Sequence, residues 1–175
     1  MTSEELLAKV ASRVLDGIMF HSELVDLFDF LGLKGFYKWQ KCQYCDEVKN
    51  LSYIKHYALK KNHKFIKTEQ ERNYPSVIPS GWIDRSALEA SSADIVNMMK
   101  IILDTYCQWE HETADYYCSL AEEAMGTDKD LIHELRKEVC EEIMKLEQLK
   151  LKFQTTNYNG IHIQMVSSEL CEKYK

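Results

Sequence analysis

The sequence predicts an all-α chain, a four-helix bundle built from two antiparallel hairpins joined by one long crossover. Three observations lead there. Helix breakers are scarce, with 2 Pro and 6 Gly in 175 residues, which favours a few long helices over many short strands. Apolar residues recur at three- and four-residue spacing through four long segments. The links between those segments run short, long, short.

The first helix is expected over residues 3–31. Thr2 and Glu5 fit a capping box. Leu7, Val10, Val14, Ile18, His21, Val25 and Phe28 then share one helical face. Gly32 and Gly35 punctuate a short turn. The second helix is expected over residues 33–66, with Phe36, Gln40, Gln43, Glu47, Leu51, Ile54 and Ala58 on its inward line. Two glutamines and a glutamate thus stand where apolar residues would ordinarily be.

Residues 68–85 hold both prolines and no helical period. They read as an ordered surface connection anchored by Tyr74, Val77, Ile78 and Trp82. A loop of this length needs a structural reason. Ser86 and Glu89 fit a second capping box, and the third helix is expected to run from there to about Met125. Its face reads Ile95, Met98, Ile102, Tyr106, Trp109, Thr113, Tyr116 and Leu120. Gly126 stops it, and Thr127 or Asp128 caps the fourth helix. That helix follows Leu131, Leu135, Val139, Glu142, Leu146 and Leu149 to about Phe153, and Asn157 to Gly160 end it. Residues 167–174 have the composition of a short fifth helix. The chain therefore divides into a bundle over residues 1–153 and a C-terminal tail over residues 154–175.

Connection lengths select the topology. The two short links each make an antiparallel hairpin. A helix of about 28 residues is roughly 42 Å long. A link of about 18 residues reaches roughly 60 Å when extended. The link can therefore run the length of the bundle and set the second and third helices parallel, the arrangement of single-crossover bundles.

Composition narrows the function classes. The formal net charge of −6 supplies no basic stripe for nucleic acid. No apolar run approaches a membrane span. The N-terminal residues lack a basic region followed by an apolar one, so a cytoplasmic protein is expected. Cys42 and Cys45 form a C-x-x-C pair, but no second pair stands at zinc-ribbon spacing. The pair lies inside a helical pattern, which points to reduced cysteines in a bundle.

Bundles of this kind place metal sites in the core, using carboxylates and imidazoles from facing helices. The candidates on or beside the inward lines are Glu47 on the second helix, Glu112 beside the third, Glu142 on the fourth and His21 on the first. Buried carboxylates need a cation or hydrogen-bond donors. The competing reading puts each glutamate at the edge of the apolar stripe, reaching water, and makes His21 a hydrogen-bonded core histidine. Asp46, Glu110, His111, Glu138 and Glu141 fall off the inward lines and are expected to be solvated.

The segment Leu33-Lys-Gly-Phe-Tyr-Lys-Trp39, followed by Cys45-Asp-Glu47, resembles the start of the second helix of ferritins. Glu112 followed by Thr127-Asp-Lys129 is similar to the family's third helix and its turn, and Val139-Cys-Glu-Glu142-Ile-Met-Lys-Leu146 to its fourth. Pro79-Ser-Gly-Trp82 resembles the end of the family's crossover. Their order and spacing, over roughly residues 5–153, are more specific than any one motif. The resemblance implies a ferritin-like iron-binding and iron-storage protein. Glu47 would match the bridging glutamate of the di-iron centre, Glu112 the third-helix glutamate, and Glu142 a position the family fills with glutamine or glutamate. It also implies iron as the ligand, ferroxidase chemistry and a homo-oligomer. Two positions depart from the pattern. Asn50 stands where the helical E-x-x-H motif has its histidine, and Val14 where the first helix offers a glutamate. The alternative is a catalytically inactive ferritin-like scaffold serving assembly or partner binding.

Overall fold

The computed structural model describes residues 1–63, 66–68, 74–79 and 91–174. It consists of α1 (Ser3–Phe30), α2 (Lys34–Lys60), α3 (Ser92–Glu123), α4 (Thr127–Thr155) and α5 (Gly160–Lys173). The fold is the expected all-α bundle with a short C-terminal helix. α1 pairs with α2 and α3 with α4, each pair joined by a short turn.

α1 begins with the predicted capping box. The Thr2 hydroxyl accepts from the Glu5 amide at 3.2 Å, and the Glu5 carboxylate accepts from the Thr2 amide at 2.8 Å. Such a cap contributes about 1 kcal/mol. Gly32 takes φ +69° in the turn to α2, a left-handed conformation open to glycine at little cost. α2 ends at Lys60, six residues before the expected Ile66. Asn62 takes φ 64° just beyond it, and that backbone cannot continue a right-handed helix.

The expected box at Ser86 and Glu89, and the expected anchor Trp82, lie outside the described residues. The cap present on α3 is Ser91 with Asp94. Val77 of the crossover is buried, and Tyr74 packs against the same core. Asp128 does not cap α4, whose N-cap is Gly126. It is buried instead, accepting from Ser3 Oγ at 2.6 Å, Tyr57 Oη at 2.9 Å and Lys61 Nζ at 2.7 Å. It thereby ties α4 to the start of α1 and the end of α2.

α5 begins seven residues earlier than expected. Asn159 caps it, accepting from the Ile161 and His162 amides. It crosses the start of α2, where the Gly35 amide donates to Ser167 Oγ at 3.0 Å. A Cβ on Gly35 would lie 1.7 Å from the Ser167 carbonyl oxygen, so only glycine allows this approach. Ile163 and Val166 of α5 join the bundle core.

The apolar core is divided in two. One cluster runs through Phe20–Trp39, Met98–Trp109 and Leu146–Val166. The other runs through Leu6–Ile18, Ile54, Ala58, Ala114–Ala124 and Leu131–Ile143. The break between them falls near residues 17–21 of α1, 40–50 of α2, 110–113 of α3 and 142–145 of α4. All four helices therefore turn polar at one level, and that level holds the candidate site.

Candidate metal centre

A cavity of about 350 Å³ opens at this level. α2 lines one wall with Gln43, Glu47 and Asn50, and α4 the other with Glu138, Glu142 and Lys145. His21 of α1 and Glu110 and Tyr117 of α3 line it as well. The seam between α2 and α4 is polar: the Asn50 amide donates to Glu138 at 3.1 Å and the Gln43 amide to Glu142 at 3.4 Å.

Three of the four sequence-predicted ligands meet here. His21 is 2 % exposed and Glu142 5 %, and Glu47 lies partly exposed on the cavity wall. The fourth, Glu112, does not. It is exposed, accepts from Gln108 of its own helix at 2.9 Å, and faces Tyr74 and Trp109 on another side of α3. Glu110, expected to be solvated, is the buried α3 carboxylate at 5 % exposure. The reason is helical phase. Two residues span about 200° of rotation at 3.6 residues per turn, so Glu110 and Glu112 point to nearly opposite sides. The inward line runs Tyr106, Glu110, Thr113, Tyr117. The sequence signal was the four-residue step from Tyr106.

His21 is held on both ring nitrogens' sides. Nδ1 stands 2.9 Å from Gln40 Oε1, and Nε2 is 4.0 Å from Glu110 Oε1. An amide oxygen only accepts, so Nδ1 carries the proton and Nε2 offers a lone pair toward Glu110. Burial pulls the imidazole down to about 4, partly opposed by Gln40, so the ring is neutral near pH 7. Tyr106 packs edge-on to the ring and donates to Glu142 Oε1 at 3.2 Å. Lys145 donates to Glu142 Oε2 at 3.0 Å.

Glu47 and Glu110 resist ionisation. Loss of solvation raises Glu47 to about 8, with Glu138 and Asp46 adding to the rise and Asn50 opposing it. Loss of solvation also lifts Glu110 well above the ordinary carboxylate range. Glu47 and Glu142 add to that rise, and Arg13 opposes it. Arg13 spends most of its contacts elsewhere: its guanidinium lies 3.6 Å over the Trp109 ring and donates to Thr113. The nearby cations therefore do not offset the cost of ionising Glu47 and Glu110.

The departures seen in the sequence are structural as well. Val14 is a buried apolar residue of the second cluster. Gly17, one turn on, faces Glu47, where an added Cβ would lie 3.6 Å from Glu47 Cδ. Asn50 is turned to Glu138. Among the described residues, no three His, Cys, Asp or Glu side chains stand close enough to hold a metal ion as they are. The donor types suit one all the same, since glutamate oxygens with one imidazole match a divalent first-row cation.

A bundle of two hairpins, one crossover and a polar carboxylate level defines the class: the chain has the ferritin-like fold. The solved structures it resembles include the open-pore ferritin of the hyperthermophilic archaeon Archaeoglobus fulgidus, with a TM-score of 0.73 and 17 % identity over 96 % of this chain and 94 % of that one. A closed form of the same ferritin, engineered by site-directed mutagenesis, follows at a TM-score of 0.63 and 17 % identity, over 98 % of this chain and 96 % of that one. No protein-family model and no curated protein matches the sequence. Among the described residues no helix is long and apolar enough to cross a membrane.

Proposed function

We propose that the protein is a ferritin-like iron-binding protein with iron as its cargo, bound by Glu47, Glu110 and Glu142 with the His21 imidazole as nitrogen donor. One observation carries this reading. Carboxylates from three helices and a neutral imidazole from the fourth converge where both apolar clusters stop, and loss of solvation holds Glu47 and Glu110 toward their protonated forms. A core organised only for stability would fill that level with apolar side chains. A cation would relieve the charge conflict, and its binding would release the protons held by Glu47 and Glu110.

The centre is a reduced form of a ferroxidase site. With Val14 and Asn50 contributing no carboxylate or imidazole, the imidazole is supplied from α1 instead. Fe(II) oxidised there would give its electron to dioxygen, and the surrounding carboxylates favour the ferric charge. The likeness to ferritins supports a storage role in a symmetric homo-oligomer, checked by size-exclusion chromatography with light scattering.

The deciding experiment is anaerobic calorimetry with Fe(II), followed by absorbance on exposure to air. Binding in the wild type that is lost in Glu47→Ala and Glu110→Ala supports the reading. A wild-type protein that takes up no iron and oxidises none above buffer supports the second reading, a scaffold serving assembly or partner binding. Val14 and Asn50 favour that second reading.

A further inference from the structure

Glu142 carries a donor on each of its carboxylate oxygens, one on Oε1 and two on Oε2. Oε1 accepts from Tyr106, and Oε2 accepts from Lys145 at 3.0 Å and Gln43 at 3.4 Å. Both lone pairs of Oε2 are taken, so a metal ion that uses both carboxylate oxygens needs one that Lys145 or Gln43 now occupies. Tyr106 is wholly buried and packed against Phe20, His21 and Trp39, so it has nowhere to go. Gln43 is neutral and its contact is the longest of the three. Lys145 differs in both charge and freedom. Its side chain is 50 % exposed while Glu142's is 7 %.

Lys145 also stands on a boundary. It lines the metal cavity, and it lines a second cavity of about 350 Å³ between α4, α5 and Trp39 of α2. Glu169 and Tyr174 of α5 share that second cavity with it. The ammonium thus has one pocket where it meets Glu142 and another that carries Glu169, which pairs with Lys152 at 3.0 Å.

We propose that Lys145 is a resident counter-cation of the centre: it occupies Glu142 in the metal's place, and a divalent cation must displace it toward the α5 groove in order to bind. The inference rests on the iron-binding reading above and deepens it by naming what the metal competes with. The reason is Coulombic. An ammonium and a dication held by one carboxylate repel each other, and Oε2 cannot serve both at full strength. Lys145 therefore sets a threshold. A monovalent cation brings no more charge than the lysine it must replace, whereas a divalent cation brings twice as much.

The test is anaerobic titration calorimetry with Fe(II), repeated with redox-inert Co(II), on the wild type and on Lys145→Met, Lys145→Arg and Lys49→Met. Circular dichroism confirms folding of each. Lys49 also lines the metal cavity, but it pairs with Asp46 at 2.7 Å and not with Glu142. Lys145→Met should bind the cations about tenfold more tightly, the size of a one-unit change in an ionic equilibrium. Lys145→Arg should bind no more tightly than the wild type, and Lys49→Met should shift affinity much less than Lys145→Met. Wild-type affinity in Lys145→Met, or an equal gain in Lys49→Met, overturns the inference and leaves the iron-binding reading standing. Absence of binding in both wild type and Lys145→Met overturns both together.

Discussion

Gln40 Oε1 lies 2.9 Å from His21 Nδ1, and the two side chains are among the most deeply buried polar groups of the protein. This contact decides which nitrogen of His21 faces Glu110. Residues that orient a ligand in this way commonly account for a 10–100-fold effect on metal affinity. Gln40→Leu should therefore weaken Fe(II) binding by roughly tenfold or more, read by calorimetry. It should also lower stability by about 1–2 kcal/mol, because it leaves the imidazole N–H without a buried acceptor, read by urea denaturation.

Glu110 and Glu112 provide a direct contrast. Glu110→Gln removes a buried carboxylate while keeping its shape. It should abolish or strongly reduce cation binding, and it should leave the metal-free protein at least as stable as the wild type, since the cost of keeping a buried carboxyl protonated near neutral pH disappears. Glu112→Ala removes only an exposed contact to Gln108. It should change stability by less than about 0.5 kcal/mol and leave cation binding intact. Calorimetry and denaturation of the two variants side by side check both outcomes.

The metal-free protein should lose stability as pH rises through the neutral range. Loss of solvation in the cavity, with Glu138 and Asp46 adding, raises Glu47 from 4.5 to about 8. Between those values the folded protein holds a proton that the unfolded chain has released, so stability falls with rising pH. His21, lowered from 6.5 to about 4, acts in the opposite sense and only on the acid side. Its buried neutral ring costs stability as pH falls from 6.5 toward 4. Denaturation of the metal-free protein at about pH 7 and about pH 8.5 should show the loss, and Glu47→Gln should flatten it.

Gly35→Ala should detach α5. The added Cβ would overlap the Ser167 backbone, and a backbone carbonyl cannot rotate aside as a long side chain would. A cost of about 2–3 kcal/mol is expected. Faster hydrogen exchange should be concentrated in the amides of α5, with those of α1 and α3 little changed. Uniform destabilisation of all helices would contradict this local docking.

Asp128 should prove a structural tie. Asp128→Ala removes the acceptor shared by Ser3, Tyr57 and Lys61 and should cost about 3 kcal/mol, measured by thermal or urea denaturation. Cation affinity should be unaffected, because Asp128 sits at the start of α4, roughly 20 Å along the helix from Glu142.

Much of the architecture was legible in the residues. Periodicity placed the four long helices, and the scarcity of breakers left few places to interrupt them. The start of α1 was readable because Thr2 and Glu5 cap it through local chemistry alone. The ends that depend on more than local chemistry were less legible. α2 stops at Lys60 and α5 starts at Gly160. The first follows from the left-handed turn at Asn62, and the second from docking against Gly35, a contact between residues far apart in sequence.

The sequence by itself determined the bundle, its short, long, short connectivity and the presence of polar residues on inward lines, because these depend on spacing along one helix and on connection length. It also placed Glu47, Glu142 and His21 on those lines. Only the tertiary structure decided that Glu110 rather than Glu112 enters the core, that Gln40 orients His21, and that Lys145 occupies Glu142. Each of these depends on the rotation of one helix relative to its neighbours. A helix drifts against any fixed repeat, so a small uncertainty in phase exchanges a buried carboxylate for an exposed one two residues away.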